Sequence, residues 1–406
     1  MPVKLAAPRE VEGVQLVTCA AGIKADSSPD LVIAKLAENT QCAAVFTKNS
    51  FCAAPVTICR EQLLDNGGAV RALLINSGNA NAGTGKPGYQ MARGHCDALA
   101  EALAVPSNSV LPFSTGVIGQ LLPDQAMREA IGQAVEQMDV KAQVADWQAA
   151  ASGIMTTDTQ LKLTSRSCQV QQETITITGM VKGSGMIQPN MATLLSFIFT
   201  DAAISAGDLD SALCEAVEHS FNAITIDSDT STNDSCVLMA TACGKSIKRD
   251  GEGWSEFTQA LAELLLDLAK AVVKDAEGAS KFISVSVQGG RSIEECKEVG
   301  YAVANSPLVK TAMFASDANV GRLLMAIGKA NVVDLDPTQV RVSLGDVLAF
   351  ESAGIASSYT DEKGMKVLAA EEIDLLIELG RGDADAMIYT SDLSHDYVSI
   401  NADYRS

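Results

Sequence analysis

The sequence predicts an α/β or α+β fold, and three observations support that prediction. Short apolar runs typical of strands are interspersed with helical repeats along all 406 residues. These runs do not follow a strict strand–helix–strand rhythm. Hydrophobic residues make up 47% and charged residues 20%, values typical of a globular protein with a substantial core. The length indicates two or three domains, or two intertwined lobes.

The first half of the chain predicts four short strands, and then two further strands that alternate with two helices. Four β-like runs alternate with turns through about residue 60, and the last of them is APVTICRE. The elements that follow are a strand at 70–77, a helix at 88–104, a strand with a small-residue turn at 107–119, and a helix at 123–135. Asp124 adds a negative charge to the first turn of that last helix, where the helix dipole favours it.

The second half predicts the same mixture. Its elements are strands at 170–181, 192–205, 236–243 and 281–290, helices at 208–221, 254–278 and 306–329, and short strands in the tail. Ser255 is expected to cap the helix at 254–278. Pro307 is expected to occupy the first helical position of the helix at 306–329.

The charge balance argues against nucleic acid and membranes as partners. Fifty acidic residues against 30 basic ones give a net charge of −20, whereas phosphate binding needs a concentrated basic surface. A locally basic pocket remains compatible with small anions. No apolar run reaches the ~18 residues needed to cross a bilayer. The N-terminal residues lack a signal-peptide pattern, so a cytoplasmic protein is expected.

The cysteines and histidines give little support to metal or histidine-dependent chemistry. The ten cysteines form no CxxC pair, so we expect reduced, buried side chains. The three histidines are widely spaced, which does not fit zinc ligation, so no metal is expected. A Ser-His-Asp hydrolase is weakly supported because no GxSxG motif is present.

Three interpretations compete for the run MVKGSGMIQPNMATLLSFIFTDA at 180–202. KGSG as a phosphate loop is disfavoured, because the glycine spacing is wrong and a strand follows. The second interpretation is that the run is only a turn that joins two strands. The run also fits an activated threonine at the mouth of a buried strand.

The third interpretation requires a base for the threonine hydroxyl. Without histidine, the nearest base is the residue's own α-amine, whose reference pKa is about 7.7–8.0. Self-cleavage between Ala192 and Thr193 would create that amine.

The same run resembles the autoprocessing signature of the ornithine acetyltransferase family (ArgJ, glutamate N-acetyltransferase). The resemblance extends over nearly the whole chain through ordered blocks: FTKNSFCAAPV, INSGNANAGTG, STGVIG, GIMTTDT, TIDSDTSTNDS, KDAEGASKF, ANSPLVKTAMFASDANVGR and INADYRS. Within the last long block, Ala315 and Val320 stand where the family commonly has glycine and tryptophan, which affects packing and fine specificity.

The resemblance implies an acetyltransferase of arginine biosynthesis. Thr193 would be the N-terminal nucleophile that takes the acetyl group from N-acetylornithine and passes it to glutamate in a ping-pong reaction. Thr115 and Gly116 match the pair that stabilises the oxyanion. No cofactor or metal is implied. Acetyl-CoA is a candidate co-substrate that the sequence does not decide.

The resemblance also assigns substrate-contacting positions: Thr156, Lys182, Thr193, Glu277, Asn401 and Ser406. Lys182 suits a substrate carboxylate and Glu277 an amino group, the two charged groups that glutamate and ornithine share. Ser406 ends the chain where family members often have threonine. The loop 225–235 lacks the glycine and glutamate of a calcium-binding EF-hand, so we expect a hydrogen-bonded loop beside the site.

The implied fold is a layered sandwich with helices outside paired sheets, as in the DmpA/ArgJ group. The implied chains are an α chain of 1–192 and a β chain of 193–406, assembled as an α2β2 heterotetramer. One alternative is an N-terminal-nucleophile amidase or aminopeptidase of the same fold, in which water resolves the acyl-enzyme. Another is a non-catalytic amino-acid-binding protein, which predicts an uncut chain and binding unaffected by Thr193→Ala.

Overall fold

The computed structural model describes residues 1–138, 143–188 and 194–402, and within them the chain forms three β-sheets and eleven α-helices. The strands are β1 Val14–Cys19, β2 Leu31–Leu36, β3 Gln41–Phe46, β4 Ala72–Asn79, β5 Val110–Val117, β6 Leu163–Val170, β7 Glu173–Lys182, β8 Leu195–Thr200, β9 Ser235–Ala240, β10 Phe282–Gly290, β11 Arg341–Leu344, β12 Val347–Glu351, β13 Gly354–Ile355, β14 Glu372–Glu378 and β15 Ala384–Ser391. The helices are α1 Ala54–Asn66, α2 Gly85–Leu103, α3 Asp124–Glu136, α4 Val144–Gly153, α5 Ala206–Glu218, α6 Trp254–Lys274, α7 Ile293–Ala304, α8 Pro307–Phe314, α9 Val320–Gly328, α10 Asp361–Leu368 and α11 His395–Ala402.

The first two sheets pack face to face. The first sheet has the strand order β1-β2-β4-β5, and the second has the order β3-β9-β8-β7-β6. Strand β8 shows how their shared core forms, because successive side chains of a strand point to opposite faces. Leu195, Phe197 and Phe199 enter the core between the two sheets, whereas Ile198 faces the other side. The Phe197 ring meets Phe113 of the first sheet edge-on, with ring centroids 5.0 Å apart.

Helices cover both outer faces of this pair of sheets. Apolar residues of α2 and α3 pack on the outer face of the first sheet, and those of α5 and α6 pack on the outer face of the second. The result is four layers, helix–sheet–sheet–helix. This arrangement confirms the α/β class and the predicted layered sandwich with helices outside paired sheets.

The third sheet was not predicted. Its order is β13-β12-β11-β14-β10-β15, and it has its own core with helices α7 to α10. All its strands follow residue 193. The second sheet instead combines strands from both sides of the expected chain boundary, because β7 pairs antiparallel with β8. The chain from Gly183 to Leu194 therefore links two neighbouring antiparallel strands.

The prediction of a strand at APVTICRE was wrong, because these residues begin helix α1. Pro55 occupies the first turn, where its missing N–H costs no hydrogen bond, and Gly67 ends the helix at φ 64°. Val56 and Cys59 lie one helical turn apart and enter the core between the sheets. The order of apolar and polar residues in this short run resembles that of a strand, so the sequence did not show that Val56 and Cys59 pack between the sheets from a helix.

Three further expectations required correction. Helix α6 begins at Trp254 after Gly253, which has a φ of 83°, so Ser255 is inside the helix and does not cap it. The helix expected at 306–329 is two helices, α8 and α9, with Pro307 in the first turn of α8 as expected. The tail forms helix α11 and not short strands.

All ten cysteines are free, as expected for reduced thiols. Six are buried, whereas Cys214 and Cys243 are exposed, so the expectation of burial holds only in part. Among the helices in the described ranges, none combines the length and apolarity that crossing a membrane requires.

Candidate active site

Six of the sequence-predicted site residues line one cleft that opens to solvent. They are Thr115, Gly116, Thr156, Lys182, Glu277 and Asn401. These residues come from positions up to 286 apart in the chain (401 − 115), so the fold is what assembles them. Their chemical roles stay predictions.

Thr115 and Gly116 lie near the end of β5, beside the end of β4. Gly116 has a φ of 132°, and a Cβ there would lie 2.2 Å from the carbonyl carbon of Gly78. The two parallel strands therefore approach so closely at this point that only glycine fits. This close approach fixes the backbone N–H of Gly116 and the side chain of Thr115 at the rim of the cleft.

Lys182 is the last residue of β7 in the second sheet, and its side chain reaches Thr115 near the end of β5 in the first sheet. Its side chain is buried, and Nζ donates to Thr115 Oγ1 across 3.3 Å. Because Lys182 supplies the proton of that bond, the Thr115 hydroxyl keeps its own hydrogen for another acceptor. Burial lowers the pKa of the Lys182 ammonium, and the Asp158 carboxylate partly offsets that effect.

A buried network of ionic groups lies behind this wall of the cleft. Lys162 Nζ lies 2.7 Å from Asp158 Oδ1 and 2.6 Å from Asp275 Oδ2, and all three side chains are buried. Burial alone would raise the pKa of Asp158, but the Lys182 and Lys162 ammonium groups hold it well below its usual range. Asp158 also accepts the backbone N–H groups of Thr156 and Gly183, at 3.0 and 2.7 Å.

This network positions three cleft segments at once. Asp158 anchors the backbone of Thr156 and of Gly183, the residue after Lys182. Asp275 is the C-cap residue of α6 and lies two positions before Glu277. The sequence reasoning did not identify Asp158, Lys162 or Asp275. Only the i,i+4 spacing of Asp158 and Lys162 was visible in the sequence, and that spacing is common on exposed helices.

Glu277 stands in the turn after α6, close to the C-terminal helix. Its backbone N–H donates to Ser184 O at 2.9 Å, and a Cβ on Gly185 would lie 2.7 Å from its carboxylate. Asn401 Nδ2 on α11 donates to Glu277 Oε2 at 2.7 Å. The expectation that the C-terminal segment reaches the site therefore agrees with the placement of Asn401.

The loop at 225–235 also reaches the cleft, through Ser231, Thr232 and Asn233. Asn233 is buried, and its Nδ2 donates to Ala80 O and Ser114 O at 2.6 and 2.8 Å, which ties the loop to β5. This contact agrees with the expected hydrogen-bonded loop beside the site. The sequence did not indicate which of its many polar residues would face inward.

Asp227, earlier in that loop, holds the segment that follows Lys182. Its carboxylate accepts the backbone N–H groups of Met186 and Ile187 at 2.5 and 2.8 Å. The Tyr397 hydroxyl on α11 donates to the same carboxylate at 3.3 Å. Asp227 thus connects the segment leading toward residue 193 with the C-terminal helix.

Ala192, Thr193 and Ser406 lie outside the described residues. Leu194, the residue after Thr193, is described and buried, and its carbonyl accepts the N–H of Ser235 at 3.0 Å.

None of the three histidines belongs to the cleft lining within the described part of the chain. His95 pairs with Asp124 at 2.9 Å between α2 and α3, and His395 packs edge-on against Phe314. A histidine base is therefore not available at these walls. Among the described residues, the cleft lining instead offers one ammonium, one carboxylate and several hydroxyl and amide groups.

Comparison with known proteins agrees with the resemblance read from the sequence. The model of the ArgJ family matches residues 15–406. A curated relative from Pseudomonas fluorescens (strain Pf0-1), named arginine biosynthesis bifunctional protein ArgJ, is 47% identical over 98% of this chain and 97% of its own length. The chain belongs to the ArgJ family. A second relative of the same name, from Psychrobacter arcticus, is 49% identical over the same shares of the two chains.

Two solved structures are also similar. The arginine biosynthesis bifunctional protein ArgJ of Bacillus halodurans shares 34% identity over 50% of this chain and 95% of its own, with a TM-score of 0.47. The ornithine acetyltransferase of Mycobacterium tuberculosis, solved in complex with ornithine, shares 30% identity over 47% of this chain and 96% of its own, with a TM-score of 0.40. The family expected from the sequence is thereby confirmed by the family model and the curated relatives.

Proposed function

We propose that this ArgJ family member is the self-processing N-acetyltransferase of arginine biosynthesis that moves an acetyl group from N-acetylornithine to glutamate. The curated relatives' name places them in arginine biosynthesis. The observation that carries the assignment to this chain is a cleft whose described lining contains the cation Lys182 and the carboxylate Glu277. Both substrates are amino acids, so each presents a carboxylate and a nitrogen to such a pair of charges.

Self-processing comes first. The Thr193 hydroxyl attacks the carbonyl carbon of Ala192, the C–N bond between the two residues breaks through an ester, and water hydrolyses that ester. The products are an α chain of 1–192 and a β chain of 193–406 with a free threonine α-amine. Asp227 supports this step by holding the backbone at Met186 and Ile187.

Acetyl transfer then proceeds in two halves. The α-amine of Thr193 accepts the hydroxyl proton while Oγ1 attacks the acetyl carbonyl of N-acetylornithine. Ornithine leaves with that proton, and the acetyl group remains as an ester on Thr193. The amino group of glutamate attacks this ester, giving N-acetylglutamate and the free enzyme.

The negative charge that develops on the acetyl oxygen is stabilised by the Thr115 hydroxyl and the Gly116 N–H. The hydrogen bond from Lys182 to Thr115 Oγ1 leaves the hydroxyl hydrogen free for this purpose. Thr156, Asn401 and Ser406 complete the substrate contacts in this proposal.

The remaining features of the proposal follow the family. The acetyl group is carried by Thr193 itself, with no resident cofactor or metal. Two αβ units form an α2β2 heterotetramer in the cytoplasm. The word bifunctional in the relatives' names supports testing acetyl-CoA as a second donor.

The deciding experiment has two stages. Intact mass and N-terminal sequencing of the purified wild-type protein are expected to show two chains, the second beginning TLLSF, and Thr193→Ala is expected to remain uncut. The cut enzyme is then incubated with N-acetylornithine, with and without glutamate. Formation of N-acetylglutamate supports the transferase. An uncut wild-type chain contradicts the mechanism, and acetate release that does not depend on glutamate supports the amidase alternative.

A further inference from the structure

Asn233 lines the cleft, yet its side-chain amide is already bound to protein groups. Its residue is 5% exposed. Nδ2 donates to Ala80 O at 2.6 Å and to Ser114 O at 2.8 Å, and Oδ1 accepts a hydrogen bond from the Thr232 hydroxyl. An amide nitrogen carries two hydrogens, and these two bonds use both of them. Asn233 therefore acts on the cleft through the groups that it holds.

The two carbonyl groups that Asn233 binds belong to neighbouring strand ends. Ser114 lies in β5, one residue before Thr115, and Ala80 directly follows β4. Among the described residues, β5 is an edge strand of the first sheet, with β4 as its parallel neighbour. The Asn233 amide therefore supplies Ser114 O with a donor from outside that sheet. One side-chain amide thus holds the ends of both strands.

These bonds lie at the point where the two strands approach most closely. Gly116 follows Ser114 by two residues, and a Cβ on Gly116 would lie 2.2 Å from the carbonyl carbon of Gly78. The Ser114 carbonyl and the Thr115 N–H share one planar peptide group. The bond from Asn233 therefore fixes the orientation of the peptide that leads into Thr115 and Gly116.

The loop that carries Asn233 is itself anchored on both sides of this residue. Four of its backbone carbonyl groups accept hydrogen bonds from residues 47–53, which connect β3 with α1. The bonds run from Asn49 Nδ2 to Thr230 O at 2.8 Å, from Thr47 Oγ1 to Ser231 O at 2.7 Å, from Ala53 N to Thr232 O at 2.9 Å and from Thr47 N to Asp234 O at 3.0 Å. A site is held precisely when the residues that support it are themselves fixed, and this loop meets that condition.

We propose that Asn233 is a positioning residue for the oxyanion pair, Thr115 and Gly116. Its amide holds the ends of β4 and β5 so that the Thr115 hydroxyl and the Gly116 N–H point at the acetyl oxygen. This inference rests on the proposed function, which assigns that pair to the oxyanion. Asn233 touches no reacting atom and moves no proton in this scheme. Its effect belongs to the step in which charge develops on the acetyl oxygen, so it is expected on kcat and not on KM.

The test compares Asn233→Asp with wild type in acetyl transfer from N-acetylornithine to glutamate, normalised to the measured amount of cut chain. Aspartate keeps the shape, but its carboxylate has no hydrogen to donate and would face two carbonyl oxygens. We expect kcat to fall about 10- to 100-fold with KM little changed, because small displacements of catalytic groups cost up to about 100-fold in rate. An unchanged kcat overturns the inference, whether or not KM rises.

A double-mutant cycle with Thr115→Val separates positioning of the oxyanion pair from a general structural role. If Asn233 acts through that pair, the double variant should lose much less activity than the product of the two single losses. A structural role alone lowers the amount of folded enzyme and creates no such coupling. Losses that multiply overturn the inference.

Asn66→Asp is the matched control. Asn66 Nδ2 also donates to a backbone carbonyl, that of Asn108 at 2.6 Å, but this bond lies beyond the opposite end of β5 and Asn66 does not line the cleft. Its replacement should leave kcat unchanged. An equal fall in kcat for the two variants overturns the inference, because it would show that any weakening of β5 lowers the rate.

A second measurement applies if Asn233→Asp folds poorly or does not process itself. Hydrogen–deuterium exchange compares uncut Thr193→Ala protein with and without Asn233→Ser, a neutral change that removes at least one of the two amide bonds. Peptides that cover residues 110–119 should exchange faster, whereas those that cover β14 should not. Equal exchange at 110–119 overturns the inference. Faster exchange in both regions also overturns it, because it indicates a general loss of stability.

Failure of the inference can be distinguished from failure of the proposed function. A wild type that does not transfer acetyl, or a Thr115→Val variant with full activity, contradicts the proposed function and the inference with it. An active wild type that is sensitive to Thr115→Val, with a negative result for Asn233, contradicts only the role of Asn233.

Discussion

The Lys182 ammonium donates a hydrogen bond to Thr115 Oγ1 across 3.3 Å, and both side chains are buried at the wall of the cleft. One residue ends β7 of the second sheet and the other lies near the end of β5 of the first sheet. This contact joins the two sheets where the site opens. It also leaves the threonine hydroxyl hydrogen directed to another acceptor, which the proposed oxyanion requires.

Replacing Thr115 with valine tests that requirement. Valine keeps the branched shape but has no hydroxyl, so kcat for acetyl transfer is expected to fall about 100- to 1,000-fold, with little change in stability. Thr115→Ser, which keeps the hydroxyl, should retain most of the activity. Steady-state kinetics of the cut enzyme provide the measurement. Equal activity of the valine and serine variants would contradict a role for the hydroxyl.

Breaking the buried ionic network is expected to destabilise the protein strongly. Lys162→Met leaves Asp158 and Asp275 buried without their shared cation, which costs about 3–5 kcal/mol. Arg341→Gln is the control, because Arg341 pairs with Glu378 at the surface and such pairs contribute at most about 1 kcal/mol. Urea unfolding measures both free energies. Similar losses for the two variants would show that the network adds no special stability.

Alanine at position 116 is expected to disrupt the site through a steric clash. The new Cβ would lie 2.2 Å from a backbone atom of Gly78, and the φ of 132° is unfavourable for any side chain. Gly119→Ala separates the two effects, since Gly119 has a φ of 88° but no atom within 4 Å of an added Cβ. The yield of folded protein and its melting temperature should fall far more for Gly116→Ala. A loss no larger than that of Gly119→Ala would exclude the close approach of the two strands.

The stability of the uncut protein is expected to depend on Asp234 and on pH. The pKa of Asp234 is raised in the folded state, so the folded protein binds its proton more tightly than the unfolded chain does. Stability from this group is therefore present at low pH and is lost as pH rises above the unfolded pKa of about 3.9. In a Thr193→Ala background, Asp234→Asn should raise the free energy of unfolding at pH 7 by about 1–3 kcal/mol.

Urea unfolding of the two uncut proteins at pH 7 and pH 4 measures this difference. The gain should shrink toward pH 4, where the carboxyl group is protonated in the folded chain and about half protonated in the unfolded chain. A gain of equal size at both pH values would indicate that ionisation of Asp234 is not the cause.

Several elements could be predicted from local patterns and others could not. The apolar face of α6 repeats with helical spacing, and the alternation of β7 is that of a strand, so both were visible in the sequence. Residues 54–61 form part of a helix because Val56 and Cys59 pack between two sheets, a contact with distant residues. The C-terminal helix has little amphipathic pattern of its own and packs through single contacts, such as Tyr397 with Asp227 and Asn401 with Glu277.

For the candidate site, ordered sequence blocks were sufficient to identify the family and to name six residues that line one cleft. The buried groups behind the cleft were not visible in this way. Asp158, Lys162 and Asp275 are ordinary charged residues in the sequence, and nothing local distinguishes Asp234 from the other acidic residues of its loop.

The sequence by itself determined the α/β class, the family and the residues for which roles in acetyl transfer are predicted, because these depend on local periodicity and on motifs that are continuous in the chain. Only the tertiary structure decided which charges are buried together and which remain unpaired. The physical reason is that the energy of a charge depends on the dielectric and on the partners around it. For Lys162 these partners are Asp158 and Asp275, 4 and 113 residues away. Asp234 is buried as well, and neither of its carboxylate oxygens has a hydrogen-bond partner among the described residues.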